Sequence, residues 1–295
     1  MARDRLVLGT LALAPVTEPE RDEIINHFLD WGGVWLDTAS LYGDGELERY
    51  IGRYRKGRTV KVSTKLGHFK SRRSYAQRSE LLKQIRLQTE RLCGWADQVL
   101  LHEADWPVWW RCNVSSLDYS HAVIQSSEAW QLLGLMAKDN GVRIGMSGND
   151  AHVVGRLADL LQPDVVLIAK QYDLIWRNAH HLARQTNRST ELWLAAPFHQ
   201  GWLFRLQELA RIRPDVAAVA KKLESALPSD KNARARIAMA WLKLNAPTSR
   251  IVAGVASLDE LKILLDGWDE PVDQRLQVIL ADGFVGTPMV GPLKV

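Results

Sequence analysis

Cysteine is scarce in this 295-residue chain: there are two, Cys93 and Cys112. Two cysteines cannot staple a fold, and neither has metal-ligand spacing, so a disulfide scaffold is excluded and a reducing, cytoplasmic setting is expected. Nor does any histidine pair with a cysteine or carboxylate at ligand spacing, so no metal is expected. Long apolar runs are also missing. Nothing approaches the roughly 18 consecutive apolar residues of a membrane helix, so no membrane association is expected. The opening MARDRLVLGTLALAPV faintly imitates a leader, but its apolar run is short and broken by Gly and Thr, and it reads better as a strand. There is no run of like charge. The net charge of +4 is spread along the chain, which suits an anionic small molecule and gives no sign of a nucleic-acid partner. No low-complexity tract or linker divides the chain, so residues 1–295 are read as one domain. What is abundant is tryptophan, with 12, in an ordinary globular background of 46% hydrophobic and 24% charged residues.

The pattern along the chain alternates. Apolar strand-like runs stand at 6–13, 34–37, 59–63, 98–101, 142–146, 165–169, 192–195 and 251–252. Segments with helical periodicity follow them at 19–31, 46–54, 79–92, 126–139, 151–161, 177–188, 231–245 and 258–266. Eight strand–helix pairs with short links predict an α/β fold, a closed parallel (β/α)8 TIM barrel. In such a barrel function gathers at the C-terminal ends of the strands.

One stretch concentrates the chemistry there. In WLDTASLYGDGELERYIGRYRKGRTVKVSTK the second strand ends in Asp37, Tyr42 sits in the following turn, and the third strand ends in Lys65. Adjacent strand ends lie about 5 Å apart, so the three side chains can converge. A neighbouring lysine favours a phenolate and makes Tyr42 a candidate general acid. For these three residues taken alone, an ordinary ion pair beside a loop aromatic is the favoured reading.

The run LDTASLYGDGELERYIG followed by VSTKLG resembles the signature of the aldo-keto reductase family. Its members reduce carbonyls with NAD(P)H by an Asp, Tyr, Lys, His tetrad. The resemblance implies Asp37, Tyr42 and Lys65 as three of the four, and VLLHEAD supplies the fourth, His102, at the end of the next strand. It implies that Ser147, Asn149 and Gln171 hold the nicotinamide carboxamide, with Asn149 displaced by one position from the commonest pattern. It implies that LAAPFHQGWLF forms the pyrophosphate loop through Pro197 and Gly201. Alanines, Ala195 and Ala196, stand where many members place an aromatic that stacks on the nicotinamide, leaving Phe198 or Trp202 to do so. The same Ala-Ala-Pro-Phe occurs in subgroups similar to aldose and galactose dehydrogenases, which points to a polyol, sugar or small aldehyde as substrate.

The resemblance also places the adenosine phosphate at IVAGVASLDELKILL. There Gly254, Val255 and Glu260 replace the Lys, Ser and Arg of NADP-preferring members, so NAD is favoured over NADP, although Arg250 or Lys262 is within conceivable reach of a phosphate. Trp106, Trp109 and Trp110 crowd the loop behind His102 and are read either as loop packing or as an apolar or sugar-stacking substrate wall. His68, close behind Lys65, is a minor candidate for the rim. Two other functions fit the same pattern: a redox-neutral or lyase-type tailoring enzyme, and a nucleotide-binding sensor module. The oligomeric state is left open.

Overall fold

The computed structural model describes residues 2–110, 127–183, 189–271 and 273–287. Eight parallel strands close into one barrel in sequence order. They are β1 (Leu6–Gly9), β2 (Trp35–Asp37), β3 (Lys61–Leu66), β4 (Gln98–Leu101), β5 (Arg143–Gly148), β6 (Val165–Ala169), β7 (Glu191–Ala195) and β8 (Arg250–Gly254). β1 and β8 pair from Leu6 opposite Ile251 to Gly9 opposite Gly254, which joins the last strand to the first. The strands read as near-continuous apolar runs because helices cover one face and the lumen buries the other.

Inside the barrel, Val7, Trp35, Leu100, Val165, Leu167, Trp193 and Val252 form a core separate from the outer layer. Trp35 and Trp193 meet edge to face at 5.2 Å. Trp35 opens β2, and the cations that begin β3 and β8, Lys61 and Arg250, lie over its ring. The two indoles therefore form a floor at the N-terminal end of the barrel.

The helices are set by local signals. Glu18–Trp31 starts on a capping box between Thr17 and Glu20 and stops at Gly32, whose φ of 110° a side chain would resist. Asp150, Asp230 and Ser257 cap later helices. Leu258–Asp269 is closed at its start by two bonds. Ser257 Oγ accepts from the Glu260 amide, and Glu260 Oε2 accepts from the Ala256 amide at 2.7 Å.

Several boundaries depart from the sequence expectation. β1 stops at Gly9, because the buried Thr10 turns to bond the Asp37 carbonyl and Leu11–Leu13 winds into a 3-10 turn. β3 begins at Lys61 rather than 59 and runs on to Leu66. The helix expected at 177–188 is His180–Ala183 within the described residues, and 184–188 lie outside them. Two helices, Leu206–Ile212 and Ala217–Ala226, fill a segment to which no element was assigned. Cys112 and His121 fall outside the described residues; Cys93 is a free, exposed thiol. Among the described residues no helix is long and apolar enough to cross a membrane, and none of their His, Cys, Asp and Glu side chains cluster as a metal site.

Candidate active site

A cavity of about 930 Å³ opens at the C-terminal ends of the strands. Asp37, Tyr42, Lys65 and His102 all line it. Asp37 is the last residue of β2, and Lys65 is the last but one of β3. His102 directly follows β4, its amide bonded to the Leu66 carbonyl. Tyr42 is carried by a 3-10 turn that Gly43, at φ 56°, allows to close tightly.

Lys65 is buried, and its Nζ donates to Asp37 Oδ2 at 2.6 Å and to the Thr38 carbonyl at 2.8 Å. Burial disfavours the ammonium, but Asp37 and Tyr42 outweigh it and raise the lysine's pKa above its ordinary value, so Lys65 is charged. Its Nζ lies 5.1 Å from the Tyr42 ring centre. Lys65 does lower the Tyr42 pKa, as the sequence predicts, but it does not set the net direction. Burial raises the phenol above its ordinary value, Lys65 offsets only part of that by charge and hydrogen bond, and Asp37 and Glu103 push it further up. Tyr42 therefore carries its proton at neutral pH. His102 is held neutral, since burial, then Lys65 and His68, lower its pKa well below the usual imidazole range. The result is a neutral imidazole and a protonated phenol edge to face at 6.2 Å, with a fixed cation behind them. Such a set suits delivery of a proton to a carbonyl oxygen.

The residues expected at a cofactor divide into two groups. Ser147, Asn149, Pro197, Phe198, Gly201 and Gly254 line the cavity. Gln171 does not. It is 2% exposed, its amide donates to the Asn149 carbonyl, and its oxygen accepts from Asn178 at 2.7 Å. Asn178 is itself pinned to the backbone of Gly286, so the chain's far end holds Gln171 behind the wall. Of the two candidates for stacking, Phe198 lines the cavity, together with Phe204 5.6 Å from it, whereas Trp202 is buried with Arg205 over its ring. Glu260 stays exposed at its helix start. Arg250 begins β8 at the floor end, bound to Glu191 and the Asp4 carbonyl, and so stands at the opposite end of its strand from Gly254. The fit to a dinucleotide is good. Among the described residues Asp37 Oδ1 is a buried acceptor without a hydrogen-bond partner, on a side chain that lines the cavity. Around Gly201, at φ 87°, nothing lies within 4 Å of where a Cβ would stand.

The three tryptophans behind His102 take different places, and none is among the residues lining the cavity. Trp109 and Trp110 are each 1% exposed, and their indole nitrogens donate to the carbonyls of His102 and Ala104. They buttress the end of β4, because a buried indole N–H needs an acceptor and the loop backbone offers one. Trp106 is exposed and lies 5.2 Å from His68. His68 does reach the rim. The sequence reading passes over Glu103, Lys170 and Asp105. The first two line the cavity. Asp105 Oδ2 accepts from the amides of Asn149 and Asp150, tying the loop after β4 to the loop after β5. The available signal was HEAD itself, two acids within three residues of a catalytic strand end. Behind the cofactor loop His199 Nδ1 meets Asp173 Oδ2 at 2.7 Å, both buried, and the imidazole stacks on Trp176 at 3.9 Å.

Known proteins share this barrel. The model of the aldo/keto reductase family matches residues 5–275. No curated protein matches the chain by sequence. Among solved structures, a glycerol dehydrogenase from Gluconobacter oxydans is 16% identical with a TM-score of 0.69, each chain 95% covered. An aldo-keto reductase from Bacillus halodurans in its holo form is 17% identical with a TM-score of 0.67, over 94% of this chain and 91% of that one. One from Klebsiella pneumoniae in complex with NADPH is 18% identical with a TM-score of 0.65, over 93% and 89%. At these identities the likeness shows the shared barrel, while the family match extends from β1 through the helix after β8: the chain belongs to the aldo/keto reductase family and is an enzyme of that NAD(P)-dependent class.

Proposed function

We propose that this enzyme interconverts a carbonyl and an alcohol with a nicotinamide cofactor, Tyr42 giving or taking the proton. The observation that carries the reading is the convergence of Asp37, Tyr42, Lys65 and His102 on one cavity. The cofactor, when bound, supplies or accepts the hydride at carbon. In reduction, neutral His102 donates a hydrogen bond to the carbonyl oxygen and orients it. The Tyr42 hydroxyl then transfers its proton to that oxygen. Lys65 stabilises the phenolate that remains, and Asp37 keeps Lys65 charged and in place. In alcohol oxidation the same phenolate takes the proton back. Asp37 Oδ1 and Ser147 and Asn149 at the wall would hold the nicotinamide end, and Pro197, Phe198, Gly201 and Gly254 the remainder.

A polyol, sugar or small aldehyde is the substrate class, on likeness to aldose and galactose dehydrogenases. NAD(H) is the favoured cofactor. Glu260 does not line the cavity, but its carboxylate accepts from the Ala256 amide, two residues after Gly254, and a carboxylate at this helix start suits a ribose hydroxyl and repels a 2′-phosphate. The test of the mechanism is Tyr42→Phe. Turnover of an aldehyde should fall by roughly 10²–10⁴ while cofactor affinity stays within a few-fold, measured by nicotinamide absorbance and by cofactor titration. A Tyr42→Phe variant that turns over normally would sink it.

A further inference from the structure

The loop after β7 turns in a conformation that most of its residues resist. Phe198 stands at φ −103° and ψ 11°. His199, Gln200 and Gly201 follow it at φ 47°, 54° and 87°, three left-handed residues in a row. Such a change of hand aims successive backbone N–H groups to one side and makes a cradle for an anion. Only the glycine takes that conformation freely, since a Cβ opposes it. A strained turn of this kind persists where its surroundings hold it.

Phe198, Gln200 and Gly201 line the cavity, and His199 does not. Its side chain is fully buried behind them and is fixed at two points. Nδ1 lies 2.7 Å from Asp173 Oδ2. A carboxylate only accepts, so Nδ1 carries the proton. The ring lies flat on Trp176, 3.9 Å between centres and 11° from parallel. Both partners are fixed in turn. Asp173 Oδ1 accepts from the amides of Ile175 and Trp176 at 2.8 and 3.0 Å. Trp176 forms a parallel bridge with Phe284, whose amide donates to the Ile175 carbonyl at 2.7 Å. Residues 173–176 therefore make a firm wall behind the loop, and His199 is the side chain that fastens the strained turn to it.

We infer that His199, locked by Asp173 and Trp176, is a positioning residue that holds the turn 199–201 in the shape that grips the diphosphate of the cofactor. This rests on the reading above, in which Phe198 and Gly201 belong to the cofactor site. His199 acts through the backbone of its neighbours and touches neither cofactor nor substrate.

The experiment titrates the full-length wild type, His199→Phe and His199→Asn with three probes in a calorimeter. NADH carries both the nicotinamide and the diphosphate. ADP-ribose carries the diphosphate without the nicotinamide. Reduced nicotinamide mononucleotide carries the nicotinamide on a single phosphate. His199→Phe keeps a ring for Trp176 and leaves the buried Asp173 Oδ2 without its donor. Its Kd for NADH and for ADP-ribose should rise together, by at least about fivefold. The Kd for the mononucleotide should stay within about twofold of the wild type. His199→Asn keeps an N–H for Asp173 but gives up the stack, and it should weaken the same two probes by a smaller factor. In steady state the loss should appear in KM for NADH, with kcat at saturating NADH held within about twofold. A merely structural role would weaken all three probes and the aldehyde KM by one common factor, and that result overturns the inference. ADP-ribose affinity unchanged in a folded variant overturns it as well. A wild type that binds the mononucleotide but not ADP-ribose would overturn the cofactor-site reading of the loop, and the inference with it.

Discussion

Asp105 shows how single residues trade stability for position. Burial raises its pKa from 3.8 to about 6, although three backbone amides, those of Asn149, Asp105 and Asp150, pull it the other way. The sign of the effect on folding follows directly. The folded chain binds this proton more tightly than the unfolded one, so the associated stability is present below pH about 3.8 and is lost as the pH rises through about 6. Asp105→Asn keeps an oxygen for the Asn149 and Asp150 amides and removes the buried charge. Between pH 4 and 7 the variant should therefore gain on the wild type, on the order of 1 kcal/mol once partial exposure is allowed for. Urea unfolding of both proteins across that range measures it, and parallel curves would show that the charge is not penalised. At this scale the tetrad was legible in the sequence, because each member is fixed by its own strand end or the turn beside it. Glu103 and Lys170 were not. Their place at the cavity depends on three loops meeting in space and on left-handed backbone, which no local pattern announces. Gln171 misled for a related reason: its strand end is read correctly, but its side-chain direction is decided by Asn178 and by Gly286, more than a hundred residues away.

Elements show the same division. The periodicities located all eight strands with errors at their ends, where single side chains such as Thr10 decide where pairing stops, but left the helices Leu206–Ile212 and Ala217–Ala226 unassigned. The loop after β4 has no periodicity. Its crowded tryptophans read equally well as wall or as packing until indole N–H groups are seen to meet the His102 and Ala104 carbonyls. The helix Leu258–Asp269 is closed at its first turn by Glu260, the residue to which the proposed cofactor preference is assigned. Glu260→Arg should shift the ratio of kcat/KM for NADP(H) over NAD(H) upward by at least about tenfold, since one like-charge contact is replaced by an opposite one. It should also lower Tm modestly, because a cap is worth about 0.5–2 kcal/mol. Rates with both cofactors and a melting curve check the two parts separately. A wild type that already prefers NADPH would remove the premise.

For the molecule as a whole, the barrel order was legible from the alternation alone. Closure itself was inferred from the count of eight, and the pairing of β1 with β8 realises it. What the sequence does not display is how the lumen is blocked. Trp35 and Trp193 stand more than 150 residues apart and meet only when the strands close. Their contact makes the barrel a blind well, and a blind well imposes a queue. Two ligands that share one mouth cannot exchange independently, so the one seated deeper must arrive first and depart last. Initial rates should accordingly obey a compulsory order, with the outgoing cofactor competitive against the incoming one and the product not competitive against the cofactor. A random-order pattern would mean that the floor leaks or that the mouth admits both side by side. Opening the floor with Trp193→Ala would not supply a second door unless the hole were wetted, because a small apolar gap stays dry.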